Sequence, residues 1–319
     1  MTDASDTDTD TAGDADRADV PGAGRPELPA DLADKIATAE SIVADALADF
    51  ERPVVPWTGG KDSTLVLHLV RAAAADRGLE TPPVTFVDHG AHFPETTAFV
   101  RRWADEWDLE LHVARFEDLA GHDPGTELPV EELSDRVRTE LERVGHEGDT
   151  LVVDADSLAG NHLLKTVAFN DLLRAEGFDA ALTGVRSDES DARADESVRS
   201  PRGDDHTPEH VRVHPILDFS EADVWAALWG VVVPETVPAF PAGTVPSAAA
   251  DLPADLTPAD LPVSPKYWEG YRSLGTAAGS ARSADEPAWL QSLGDGGERA
   301  GRSQEKEDLM SHLRDLGYM

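Results

Sequence analysis

A short apolar run, Pro53-Val54-Val55-Pro56-Trp57, stops at Thr58-Gly59-Gly60-Lys61-Asp62-Ser63 and passes into the apolar-rich stretch from Ser63 to Val70. The order strand, Gly-Gly turn, helix restricts the chain more than any other feature. Two glycines let a backbone turn sharply and approach a ligand closely. In a parallel α/β sheet such a turn lies at the C-terminal end of a strand, where ligands gather. The helix that follows offers free N–H groups and the positive end of its dipole to an anion. Lys61, expected to be exposed, adds a full positive charge and Ser63 a hydroxyl donor. Asp62 either caps the helix or holds a metal that travels with a nucleotide. The loop is not a Walker A motif: Asp62 stands where Ser or Thr should follow the lysine, and Val55 stands where the first glycine should be. The bland alternative, a turn before a core helix, does not account for glycines, lysine and hydroxyls in this order.

The rest of the chain alternates. Leu32, Ile36, Ala39, Val43, Leu47 and Phe50 recur at helical spacing, and the helix opened at Ser63 is expected to run to about Asp76. Strands are expected over 83–87, 110–114, 178–183 and 211–213, and helices over 95–107, 129–144, 160–176 and 220–229. Strands alternating with helices of this length predict βαβ units: an α/β fold with a mainly parallel sheet and helices on both faces, plus a C-terminal extension. Residues 1–24 carry seven Asp and one Arg, and the expected disordered acidic tail reaches residue 30. The nucleotide-binding α/β domain is expected over 31–230. Residues 234–265 hold eight prolines, so 231–265 is expected to be an insert or linker outside the core. Residues 266–319 form a C-terminal segment expected to end in a helix from Lys306 to Leu316, and to cover the site or bind a partner.

Composition narrows the function classes. Sixty-three Asp and Glu stand against 27 Lys and Arg, a formal charge of −36, and only five residues are lysines: Lys35, Lys61, Lys165, Lys266 and Lys306. Such a surface suits high salt, where self-repulsion is screened, so the acidity is interpreted as halophilic adaptation. It argues against binding nucleic acid or an anionic membrane, both of which need a basic face. The absence of cysteine excludes disulfides, thiolate metal sites and cysteine nucleophiles. Without an apolar stretch of membrane-span length or a signal pattern, the protein is expected to be cytoplasmic.

Thr58-Gly59-Gly60-Lys61-Asp62-Ser63 resembles the Ser-Gly-Gly-Lys-Asp-Ser loop of the PP-loop (adenine nucleotide α-hydrolase-like) superfamily, whose members cut or substitute ATP between the α and β phosphates. Val87-Asp88-His89-Gly90 with Phe93-Pro94-Glu95-Thr96 is similar to a segment of the phosphoadenosine phosphosulfate reductase family, placed to meet the adenosine half of the ligand. Gly184-Val185-Arg186-Ser187-Asp188-Glu189-Ser190 with Arg193 resembles that family's arginine loop, and a strand-end Arg186 suits an anion. The stretch from Val213 to Trp225 resembles it too, with Phe219 in place of Trp, although helix capping by Ser220 and packing of Trp225 explain most of it.

Within that family, the thiol-dependent reductases need a C-terminal cysteine that this chain lacks. The small, catalytic subunits of two-subunit sulfate adenylyltransferases are the better match. The matching residues are Lys165-Thr166 before a helix, Tyr271-Arg272-Ser273-Leu274-Gly275, Glu298-Arg299-Ala300-Gly301-Arg302 and Gly317-Tyr318-Met319. The departures are Thr276 for Cys, Phe219 for Trp, the 234–265 segment and an enlarged 118–150 segment.

The resemblance implies a nucleotidyltransferase that binds ATP with Mg²⁺ and transfers the adenylyl group to an oxyanion, sulfate, giving adenosine 5′-phosphosulfate, with a GTPase large subunit as partner. The alternatives are another acceptor for an ATP pyrophosphatase of the same family, or a non-catalytic adenine-nucleotide-binding homologue. The resemblance casts Lys61, Arg186 and Lys165 as catalytic residues. Nucleotide binding is expected from Thr58, Gly59, Gly60, Lys61, Asp62, Ser63, Asp88, Gly90, Gly184, Arg186 and Arg193. Arg299 and Arg302 are candidate anion ligands in the C-terminal segment. No protein-held metal is expected: His89 and His92 beside Asp88 lack further ligands at zinc spacing. Asp154 and Asp156, after the apolar run from Leu151 to Val153, are expected to be surface carboxylates.

Overall fold

The sheet's inner strands are short and apolar on both faces, as strands covered by helices on each side must be. The computed structural model describes residues 28–189 and 191–293. The expected acidic tail therefore falls almost wholly outside the described residues, as do Arg299, Arg302 and the expected last helix. In β1 (Pro53–Pro56), Val54 and Val55 are both fully buried but enter different clusters. Val55 joins a core shared with the helices α1 (Ala30–Asp49) and α2 (Lys61–Asp76), whereas Val54 packs with Leu173 and Phe178 on the opposite face. Each such burial stabilises the fold by about 1.5–3 kcal/mol. Leu32, Ile36, Ala39 and Val43 of the expected stripe are buried in α1, whereas Ala46 rather than Leu47 continues it and Leu47 and Phe50 are half-buried. Asp179 then accepts hydrogen bonds from the amides of Glu51 and Arg52, which fixes the entry into β1.

The remaining elements follow the expected alternation: β2 (Val84–Val87), α3 (Pro94–Glu106) and β3 (Leu111–Ala114), then later β6 (Ala180–Leu182) and β8 (His210–Val213). The six-stranded sheet has the order β3-β2-β1-β6-β8-β7, where β7 (Arg199–Arg202) is an antiparallel edge strand on β8 and every other pairing is parallel. The chain winds outward from β1 to β3, then returns to lay β6 on the other side of β1. Strand order thus reverses between β1 and β6. A short helix α7 (Asp191–Ala194) precedes β7. Among the described residues no helix is long and apolar enough to cross a membrane.

Four expectations change. The helix expected over 129–144 is only α4 (Asp135–Arg143), started by Ser134, whose hydroxyl accepts from Val137 N. Before it, β4 (Glu127–Pro129) pairs antiparallel with β5 (Thr150–Val152) in a separate two-stranded sheet. The 160–176 helix is one rod, α5 (Leu158–Asn161) and α6 (Ala168–Glu176) joined by a π turn over His162–Val167 that carries Lys165. The 220–229 helix, begun as α8 (Glu221–Ala227), continues through a π turn over Leu228–Val232 into α9 (Val233–Thr236). The turn changes hydrogen-bond register just ahead of Pro234, which has no N–H to give.

The Pro-rich stretch is the largest change. Val232, Val233, Phe240, Leu261 and Val263 are all buried in the main cluster, so this stretch belongs to the core that it was expected to leave. Beyond it, Trp289 packs on Trp225, Trp229 and Trp268 with ring centroids 5.0–5.6 Å apart, binding the C-terminal segment to α8 and the turn that extends it.

Candidate functional site

In open parallel sheets the crevice at the strand-order reversal is where ligands sit. Here it lies between the C-terminal ends of β1 and β6, and the Gly-Gly loop fills its floor. Gly59 has φ +73°, and a Cβ there would lie 2.6 Å from the Phe99 ring, so only glycine makes this turn. Gly60 stands at the N-cap of α2 and brings no side chain to close the turn. The loop's two hydroxyls, expected to reach toward an anion, instead brace it. Thr58 Oγ1 accepts from Gly60 N at 3.3 Å, and Ser63 Oγ accepts from Thr58 N at 3.3 Å while donating to Gly60 O at 3.1 Å.

The charged groups behind the loop alternate in sign. Lys61, expected to be exposed, is fully buried, with Nζ 2.9 Å from Asp62 Oδ2. The other Asp62 oxygen accepts from Arg186, also fully buried, whose Nε reaches Asp188 Oδ1 at 2.9 Å. Asp188 in turn accepts from Glu221 N at 3.1 Å, and the Glu221 carboxylate pairs with Arg272. Burial drives this arrangement, since each desolvated charge needs an opposite one beside it. Gly184, at the exit of β6, lies directly against the start of α2. A Cβ there would sit 2.8 Å from Ser63 N, so only glycine lets the end of β6 pack this closely on the helix start. Sequence reasoning thus located Thr58 to Ser63, Gly184 and Arg186 in one place, but mistook which of them face outward.

Asp88, Gly90 and Lys165 gather at a second place, the ends of β2 and β3. Asp88 accepts from Gly90 N at 3.1 Å and pairs with Arg115 at 3.2 Å. His89 and His92 stack with centroids 3.6 Å apart. Burial first, then the neighbouring His92 and Lys165, pushes the His89 imidazole down to about 2, so it is neutral at ordinary pH. Its Nδ1 accepts from Ala91 N at 3.2 Å, which places the ring proton on Nε2. Burial also lowers His92, whose ring sits 2.9 Å from Val87 O. A cavity of about 130 Å³ opens here, walled by Asp88 to Ala91, Arg115, Phe116, Ala120, His122 and Ala155 among others. Asp156, expected on the surface, binds Thr276 of the C-terminal segment, and Ala277 N donates to Ala91 O at 2.8 Å.

Arg193 joins neither group. It pairs with Glu189 and adds positive potential at His214, whose Nδ1 lies 2.7 Å from the Thr183 hydroxyl beside Glu196, Arg202 and Arg212. Among the described residues no group of three or more His, Asp or Glu could hold a metal. Sequence reasoning also missed Tyr267, whose hydroxyl accepts from Lys61 N at 3.0 Å across most of the chain. No local pattern signals such a contact.

Comparison with known proteins agrees with this geometry. The sequence model of the phosphoadenosine phosphosulfate reductase domain matches residues 52–236. Sulfate adenylyltransferase subunit 2 of Mycobacterium sp. (strain JLS) is 31% identical over 220 residues, 62% of this chain and 62% of the relative. That of Streptomyces lavendulae is 32% identical over 208 residues, 58% of this chain and 55% of the relative. The match thus spans about three fifths of these relatives' length. Among solved structures, FMN adenylyltransferase of Candida glabrata superposes with a TM-score of 0.53 at 16% identity, covering 86% of this chain and 88% of that one. Yeast FAD synthetase does so with a TM-score of 0.52 at 14% identity, covering 86% and 90%. At such identities the likeness is one of fold. The family match covers more than half of the 319 residues and takes in β1, the Gly-Gly loop, the Asp88 turn and the arginine loop: the chain belongs to the phosphoadenosine phosphosulfate reductase domain family of the PP-loop superfamily.

Proposed function

We propose that the protein transfers the adenylyl group of ATP to sulfate, releasing pyrophosphate. The observation that carries this reading is the sharp Gly59–Gly60 turn into α2, whose first amides no N-cap side chain takes. Pyrophosphate there meets the Asp62 and Ser63 amides and the positive end of the helix dipole. Lys61 and Arg186, each held by Asp62, act from behind: they fix that carboxylate and with it the loop's backbone. The nucleoside half extends toward the Asp88 turn at the end of the neighbouring strand β2, one strand spacing or about 5 Å away, and occupies the cavity there. Lys165, beside His89, balances charge on the α phosphate. Arg193 lies further along the arginine loop and has no direct part in this pose.

A sulfate oxygen forms a bond to the α phosphorus while the bond from that phosphorus to the bridging oxygen breaks, and pyrophosphate leaves with the electron pair. Catalysis then rests on positioning and electrostatics and needs no protein nucleophile. The described residues offer Mg²⁺ no cage of their own, and in our reading the ion is carried in on the β and γ phosphates. The curated relatives are named as subunit 2 of their enzyme, which supports a partner subunit, in our reading a GTPase that drives the uphill transfer.

The test uses ATP labelled at the α phosphate, with and without sulfate. Sulfate-dependent formation of pyrophosphate and adenosine 5′-phosphosulfate is expected. ADP and orthophosphate as primary products would contradict the reading. Turnover with a different oxyanion alone would keep the chemistry and replace sulfate.

A further inference from the structure

Tyr267 lies outside the residues 52–236 that the family match covers, yet it touches the centre of the loop. A single turn, Pro265–Tyr267, brings it there. Ser264 N donates to Gly59 O at 2.9 Å, which fastens this turn to the glycine that makes the loop's bend. The Tyr267 ring is almost wholly buried, edge-on to Trp225 at 5.1 Å. Its hydroxyl accepts from Lys61 N at 3.0 Å, and a Cβ on Gly60 would lie 3.4 Å from the same oxygen. Lys61 N is the first amide of α2, one of the donors that an uncapped helix start offers to an anion.

The phenol therefore stands where a phosphate oxygen would otherwise collect that amide. We propose that the Tyr267 hydroxyl is itself a phosphate contact: it accepts from Lys61 N and donates its own proton to the β phosphate of ATP, and then to pyrophosphate. A phenol both accepts and donates, and a donor that is already accepting is polarised toward stronger donation. A hydrogen bond to an anionic phosphate is short and strong. The relay moves the donor outward by one oxygen atom, so the phosphate is recognised without entering the space between loop and strap. The glycine at position 60 is what lets that oxygen approach the backbone. This inference rests on the proposed role of the loop as a pyrophosphate cradle.

The full chain carrying Tyr267→Phe tests it, because the ring and its packing on Trp225 are retained. Calorimetric titration of both proteins with pyrophosphate, ATP and AMP is the measurement. Pyrophosphate and ATP are expected to bind about tenfold more weakly to the variant, the loss of one hydrogen bond to a charged group. AMP, which does not reach the loop, binds equally, and the melting temperature stays close to that of the unsubstituted protein. Equal pyrophosphate affinity in the two proteins would overturn this inference alone. So would a loss for AMP as large as that for ATP, which would mark a role in packing. If the unsubstituted protein bound neither ATP nor pyrophosphate, the cradle itself would be wrong and this inference would fall with it.

Discussion

The two ends of the candidate site are built by opposite rules. Between β1 and β6, charges of alternating sign run from Lys61 through Asp62 and Arg186 to Asp188, and buried side chains fill the space. At the ends of β2 and β3 the imidazoles are held neutral and a cavity remains. A charged ligand gains most from a backbone held rigid before it arrives, and a buried ion network supplies that rigidity. A flat aromatic base gains from a dry slot of matching size. Under the proposed function the chain thus separates a place suited to charge from one suited to shape, and each should fail in its own way.

The largest effect is expected at the filled end. Asp62→Ala leaves Lys61 and Arg186 buried without the carboxylate they share, and breaking a buried pair in this way costs about 3–5 kcal/mol. Denaturant unfolding should show that loss together with abolished pyrophosphate binding. If stability were unchanged, the network would not be what holds the loop.

At the hollow end the expected effect is smaller and depends on pH. Folded His89 refuses a proton that the unfolded chain accepts near pH 6.5. Its neutral form thus costs nothing above that pH, and stability is lost as the pH falls below it. At pH 5 this amounts to about 2 kcal/mol. His210 and His214, each lowered to about 4 chiefly by burial, add to the same acid loss elsewhere in the sheet. Melting at pH 7, 6 and 5 should therefore show a decline that His89→Gln makes shallower. Parallel curves for the two proteins would mean that His89 is protonated in the fold.

The smallest effect separates the two ends directly. Ala120→Leu narrows the cavity without touching the ion network. ATP binding should weaken by about 1–3 kcal/mol, as for an overfilled site, while pyrophosphate binding stays the same. Unchanged ATP affinity would place the nucleoside outside this cavity and break the comparison.

What could be seen in the sequence follows from how local each signal is. The β1 loop is one continuous run of residues, so its glycines, hydroxyls and helix start were visible together, and the parallel sheet followed from simple alternation. The depth of Lys61 was not visible, because burial is set by Asp62, Arg186 and Tyr267, the last two brought from far along the chain. The 234–265 stretch looked like a linker because eight prolines erase periodicity. Its core residues, Phe240, Leu261 and Val263, are too few and too unevenly spaced to form a pattern. The π turn that carries Lys165 has the same composition as ordinary helix, and only its hydrogen bonds tell the two apart. The β4–β5 pair hid behind an acidic run that also suits a helix.

The strap across the loop has a consequence for the order of events during synthesis. Tyr267 is 206 positions beyond the amide it caps. A ribosome that has released the whole of β1, the Gly-Gly turn and α2 has therefore made a loop whose centre is still undressed. Until Ser264 emerges and reaches Gly59, the emerging polypeptide has the loop without the turn that fastens it. Contacts of such long sequence separation also slow folding. Closure of the loop by Tyr267 thus comes only after the sheet strands that carry the loop have been made.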